Sequence, residues 1–290
     1  MRRSFVIASV AAALSACAPE SRLEPSATSP GVQPAHSTAL LVIERNAGES
    51  LTPSAQIGAR FVRYTGIPAE VLPSLLGTPA LPAELGCHVL SDDLQMAPRA
   101  EVQLVNVGAL DVHSDGQAIH LVPRRVPDLF QLVSGVVYAA EGELAGSRWQ
   151  FRAEGNRHAS VPSFEVEALA PSSLLSVTLD AQSVAPSSTL TLGTAPHVLR
   201  WSRGESSDRV TITFEPASPD ASQPVIRCVA DDSLGVFQLD SAWSDRVTRT
   251  LPGGRVTVHR MRTRPFALQG FESAAVVFDL SINARIASAQ

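Results

Sequence analysis

The sequence predicts an all-β protein in which two β-sandwich domains, the second Ig-like, follow a signal peptide and a proline-rich tether. Three observations carry that prediction. Apolar residues recur with period two in short runs, no run holds an amphipathic helix of three turns, and prolines and glycines punctuate the intervals between runs. With 290 residues, 44% hydrophobic and 18% charged, the chain can build two such cores and is too apolar for wholesale disorder. All 23 residues counted as Lys plus Arg are arginine, which excludes lysine Schiff-base chemistry and the phosphate-loop lysine. The formal charge of −5 argues against a nucleic-acid partner.

Residues 1–16 have the layout of a signal peptide: Arg2 and Arg3, an apolar stretch from Phe5 to Leu14, then small residues. An apolar stretch of about 10 residues rises only about 15 Å as a helix against roughly 30 Å of hydrocarbon, so it does not span a bilayer. Leu14-Ser15-Ala16-Cys17 resembles the bacterial lipobox. That resemblance implies diacylglycerol on the Cys17 sulfur, cleavage before it and acylation of the new amino group, with the membrane as a partner through lipid alone. Cleavage would remove Arg2 and Arg3, two of the cations, and take the formal charge from −5 to −7. Ala18 stands where enterobacterial lipoproteins retained in the inner membrane carry aspartate, which implies the outer membrane, on its periplasmic or its surface side. Residues 17–38, with Pro19, Pro25, Pro30 and Pro34, read as a disordered tether.

The first sandwich-like domain is expected over 39–169 and the Ig-like one over 170–290. Trp149, Phe151 and Ala153 alternate with Arg148, Gln150 and Arg152, and Val210, Ile212 and Phe214 alternate with Arg209, Thr211 and Thr213, each the pattern of a half-buried strand. The last strand places Val276, Phe278, Leu280 and Ile282 on one face and Val277, Asp279, Ser281 and Asn283 on the other. The best helical segment, Ala69 to Leu76, is interrupted by Pro73. The boundary falls in Ala168 to Leu174. A faint echo, Cys87-His88-Val89-Leu90 running into Asp92-Asp93 beside Cys228-Val229-Ala230 running into Asp231-Asp232, fits two similar halves.

Val161-Pro162-Ser163-Phe164 with Ala170-Pro171, Leu199-Arg200-Trp201-Ser202-Arg203-Gly204 leading into Val210-Thr211-Ile212, and Ile226-Arg227-Cys228-Val229 leading into Asp232 carry a wider likeness. On these segments the chain resembles the uncharacterised secreted lipoproteins of myxobacteria and related high-GC bacteria. The resemblance implies a lipid-anchored, all-β envelope protein and brings no activity or site residues with it. A high-GC coding bias also accounts for the absence of lysine.

Chemistry is sparse. If Asp115-Gly116 forms a two-residue hairpin turn, Asp111 opposes His120, and Asp111, His113 and His120 share one face. Two imidazoles and a carboxylate there can ligate zinc; the plainer reading is the polar face of a hairpin. A calcium loop fails because Val122 stands where a bidentate glutamate is needed. Asp92-Asp93 and Asp231-Asp232 read as turn carboxylates, since neighbours on a strand point apart. Gly204-Glu205-Ser206-Ser207-Asp208 is no nucleophile elbow and reads as a hairpin closure after Trp201. Trp149, Trp201 and Trp243 read as core residues rather than as a sugar-stacking platform. Once Cys17 is lipidated, Cys87 and Cys228 are the remaining thiols, either bridged or buried separately as small hydrophobes. The function expected is a lipid-anchored cell-envelope protein with a non-enzymatic binding, structural or assembly role, no cofactor, and an envelope protein or glycan as partner. The alternative is a metal-dependent hydrolase of envelope polymers using Asp111, His113 and His120.

Overall fold

The computed structural model describes residues 35–46, 54–69, 71–77, 84–90, 100–129, 133–143, 146–172, 176–217 and 224–288. Cys17, the signal peptide, the tether up to residue 34 and Asp92-Asp93 lie outside the described residues. Pro34–Gln290 forms one compact unit, and it is mostly β-strand. In chain order the first elements are β1 (His36–Asn46), β2 (Ala55–Thr65), α1 (Leu72–Leu76), β3 (Gly86–Leu90), β4 (Glu101–Leu104) and β5 (Leu110–Ser114). There follow β6 (Gln117–Leu129), β7 (Val133–Gly142), β8 (Arg148–Ala153) and β9 (Phe164–Leu169). The rest of the chain adds β10 (Thr178–Leu179), β11 (Gln182–Ser183), β12 (Thr189–Leu192), β13 (His197–Arg200), β14 (Arg209–Glu215) and β15 (Val225–Asp231). It ends with β16 (Val236–Leu239), α2 (Ser241–Thr250), β17 (Arg255–Pro265) and β18 (Ser273–Ser288). Among the described residues no helix is long and apolar enough to cross a membrane.

A 14-stranded mixed sheet runs β3-β15-β14-β17-β18-β1-β2-β4-β7-β6-β5-β8-β9, with β12 added on β18, and a 4-stranded sheet runs β11-β10-β13-β16. The large sheet folds over itself at β6. Its first residues pair with β5 and its remainder with β7, so one strand passes between two layers. Between those layers lies one core, where Leu41, Ile43, Ile57, Phe61 and Tyr138 meet Leu110, Val112, Trp149 and Phe151. The alternation expected of β8 is seen, with Trp149, Phe151 and Ala153 all buried. A second core lies between β14, β15, β17 and the end of β18 on one side and the small sheet with α2 on the other, joining Ile212, Phe214 and Val258 to Leu199, Trp201, Leu239 and Val247.

Residues 39–169 supply most of the first core and 170–290 most of the second, but two strands cross over. β18 lies parallel to β1 and gives Val276 and Phe278 to the first core and Ala284 and Ile286 to the second. β3 leaves the first part of the chain to pair with β15, where Cys87 opposes Cys228 and the two form a disulfide. The sequence left the bridge and two separate thiols open; the bridge is what the fold contains. It also gives the echo between the two cysteine segments another meaning, because they are neighbouring strands.

The connecting segment 169–172 is fixed by arginines of β17. Arg260 donates to the Ser172 carbonyl at 2.9 Å, and Arg262 to the Ala170 carbonyl at 3.2 Å. Both guanidiniums are buried because both are paired: Arg260 with Asp232 at 2.8 Å, and Arg262 with Asp208 through two 2.7 Å bonds. Gly204 belongs to the same cluster, since a Cβ there would overlap the Asp232 carboxylate. The Gly204–Asp208 segment therefore closes no hairpin; it carries the chain from β13 in the small sheet to β14 in the large one.

Three further expectations are corrected. The strand β14 is buried on both faces, Thr211 and Thr213 being 3% and 5% exposed, because it is central in the sheet and its second face lies at the floor of a recess between neighbouring strands. Pro73 does not abolish the helix at 72–76; it sits in the first turn, where the missing N–H has no intrahelical partner to lose. The strand β1 begins at His36, inside the segment read as tether. The ten-residue α2 has no counterpart in the sequence reading: Asp240 caps it by accepting from Trp243 N–H at 2.9 Å, and only Ser244 and Val247 are buried.

Candidate functional site: a polar groove across the large sheet

The first core covers one face of β1, β2 and β18; on the opposite face, and on β14, β15 and β17 beside them, polar side chains line up. Register brings them together. Gln56 opposes Glu44, Glu44 lies beside Asp279, Ser281 opposes His259, His259 opposes Thr211, and Thr213 opposes Arg227. They line a hollow of about 430 Å³, and a second of about 300 Å³ adjoins it through Glu44, Gln56 and Gly77.

At its centre the His259 Nδ1 lies 2.9 and 3.0 Å from the two oxygens of Asp279. That carboxylate is 9% exposed and the imidazole 24%, so the pair is set into the floor yet reachable. Burial, and then the neighbouring Asp279 charge, push the Glu44 carboxyl above its ordinary value, with His259 and Arg60 opposing them. The Arg60 guanidinium donates to the Ala59 and Tyr138 carbonyls at 3.0 and 2.9 Å, which fixes a cation beside Glu44. Burial lowers the Arg60 and Arg227 values, against the pull of Glu44 and Glu215 respectively, though an arginine so placed keeps its charge. The two hydroxyl residues paired with His259 across the strands are engaged elsewhere: Thr211 Oγ1 donates to Met261 Sδ at 3.8 Å and Ser281 Oγ to the Arg45 carbonyl at 3.5 Å. The floor thus offers carboxylates, guanidiniums and an imidazole to one polar ligand, and among the described residues no hydroxyl hydrogen-bonds His259 as a nucleophile would.

The residues singled out from sequence lie elsewhere. The Asp115-Gly116 turn forms with φ of 47° and 79°, and the hairpin register is the one predicted, Asp111 opposite His120 and His113 opposite Ala118. Asp111 accepts from or pairs with His120 at 2.8 Å on an exposed face. His113 does not join them, and among the described residues no three of His, Cys, Asp and Glu come together to hold a metal ion. Asp231 and Asp232 do point apart. Asp231 caps a short turn by accepting from Ser233 N–H at 3.1 Å, whereas Asp232 is the buried partner of Arg260 rather than an exposed turn carboxylate. Trp149 and Trp201 are buried in different cores, and Trp243 is on α2, so the three form no shared platform.

Sequence reasoning missed the groove because each of its residues is isolated in sequence and looks like the polar half of an ordinary strand. The available signal was Asp279 between Phe278 and Leu280, a carboxylate flanked by core residues in a strand that proves central.

No family model, no curated protein and no solved structure matches this chain.

Proposed function

We propose that the protein is a lipid-anchored, non-enzymatic binding module of the cell envelope, held at Cys17 in the outer membrane and engaging an envelope protein or glycan through the groove. The observation that carries the reading is the convergence of Glu44, Asp279, His259 and Arg60 across two adjoining hollows on one sheet, with Glu44 common to both. A ligand rich in hydroxyl or amide groups can exchange its water for these donors and acceptors, and the sheet holds them in place beforehand. The two cores fit the related proposal that 39–169 and 170–290 are sandwich-like units, the second Ig-like, while the likeness to myxobacterial-type secreted lipoproteins rests on the sequence segments alone.

The test is a crosslinked pull-down of the tagged full-length protein from intact envelopes. A discrete protein or glycan is expected with the wild type, lost with Cys17→Ala and reduced with His259→Gln. Recovery of nothing beyond the untagged control, or release of soluble fragments from envelope polymers by the purified protein, would overturn the reading; the second outcome, if abolished by His113→Ala, would restore the metal-hydrolase alternative.

A further inference from the structure

A third hollow, of about 540 Å³, opens elsewhere on the molecule, lined from β2, β4 and the segment after it, β6, β7 and the short helical turn at Arg157–Ala159. Its charged groups are cationic or can become so, and Gln103 and Ser134 add an amide and a hydroxyl. Arg63, Arg125 and His158 line it, as do Asn106 and Asn156, and among the described residues no carboxylate does. The two asparagine oxygens are taken: Asn106 Oδ1 accepts from Gly108 N–H at 2.9 Å, and Asn156 Oδ1 from His158 N–H at 3.0 Å. With each oxygen engaged, the NH2 end of each asparagine is the end free to meet a ligand. Val105 and Val136 add an apolar wall.

Arg148, Arg152, Arg209, Arg249, Arg260, Arg262 and Arg264 all pair with a carboxylate. Arg63 and Arg125, like Arg124, Arg157, Arg200, Arg203, Arg255 and Arg285, have no such partner among the described residues; what sets these two apart is that they line one hollow together. Arg63 is also positioned, donating to the Ala159 carbonyl at 3.0 Å, which leaves the rest of its fork available.

We propose that this hollow is an anion site for a small molecule bearing one carboxylate or phosphate, met by Arg63 and Arg125, with an uncharged polar body of monosaccharide size over the valines. Guanidinium forks match both oxyanions in geometry, and the asparagine NH2 groups accept no cation. The volume lies in the range of ordinary small-molecule sites, about 300 to 1,000 Å³. The site is separate from the groove and stands whether or not the groove binds an envelope partner.

Calorimetric titration of the full-length protein with glucuronate, glucose and inorganic phosphate tests it. Glucuronate is expected to bind and glucose, of the same size without the charge, is not; phosphate binding alone would assign the site to phosphoryl groups and glucuronate binding alone to carboxylates. Affinity should fall as salt rises. Arg125→Gln and Arg63→Gln should each weaken binding about tenfold or more, with Arg152→Gln unchanged as the control for a surface arginine. Arg125 is exposed, so its variant tests the site even if Arg63→Gln unfolds. Equal binding of glucose and glucuronate, no binding of either anion, or affinity unchanged by Arg125→Gln would overturn the proposal.

Discussion

Arg260 and its Asp232 partner have no solvent exposure, so removing the arginine would strand a carboxylate in the interior. Arg260→Met should cost about 3–5 kcal/mol in urea unfolding at neutral pH. Burial already pushes the Asp232 carboxyl above its ordinary value against the hydrogen bond from Arg260, so the loss should shrink as acid protonates Asp232 in the variant. Glu44 predicts the opposite sign. Its folded-state value lies above the ordinary 4.5, so the folded protein binds that proton more tightly than the unfolded chain does. The resulting penalty is complete above the raised value and absent below 4.5. Glu44→Gln should therefore be more stable than the wild type at neutral pH, and thermal melts at falling pH should show the two converge. A groove carboxylate retained at a stability penalty is what a binding residue looks like; a Gln variant less stable at neutral pH would instead make Glu44 a structural partner of Arg60.

Among the elements, the disulfide between β3 and β15 closes a sequence separation of 141 residues. In the chain-entropy model a loop of that length stabilises by about 5 kcal/mol. Cys228→Ser should lose a comparable amount, read as a lower urea midpoint, and reducing agent should lower the midpoint of the wild type but not of Cys228→Ser. Legibility from sequence follows locality. The β5–β6 hairpin was readable to the residue, because Asp115-Gly116 dictates the turn and the turn dictates the register. The strand β8 was readable because its alternation is driven by one buried face. The pairings of β3 with β15 and of β18 with β1 were not, since neither is set by a turn. The alternating threonines of β14 misled for a related reason: Thr suits an exposed face and a covered central one alike. The groove was hidden by the same non-locality, its residues lying on separate strands from Glu44 to Ser281.

For the molecule as a whole, the strand that completes the first core also completes the second. Val276 and Phe278 cannot leave their places without dragging Ala284 and Ile286, so the halves should not melt independently. Scanning calorimetry of the protein with its disulfide intact should give one transition with calorimetric and van't Hoff enthalpies in agreement. Two resolved transitions would show that β18 can detach from one half while serving the other. The same strand bears on how the protein carries load. If residue 17 is fastened to a membrane and the groove holds something else, tension reaches the fold at His36 and runs along β1. That strand is clasped on both sides, by β18 in parallel from Thr38 to Asn46 and by β2 in antiparallel from His36 to Arg45. The pull is then perpendicular to two rows of hydrogen bonds, which must shear together rather than unzip one at a time. The N-terminal strand would thus act as a mechanical clamp, and the first thing to give under force would be the grip on the ligand.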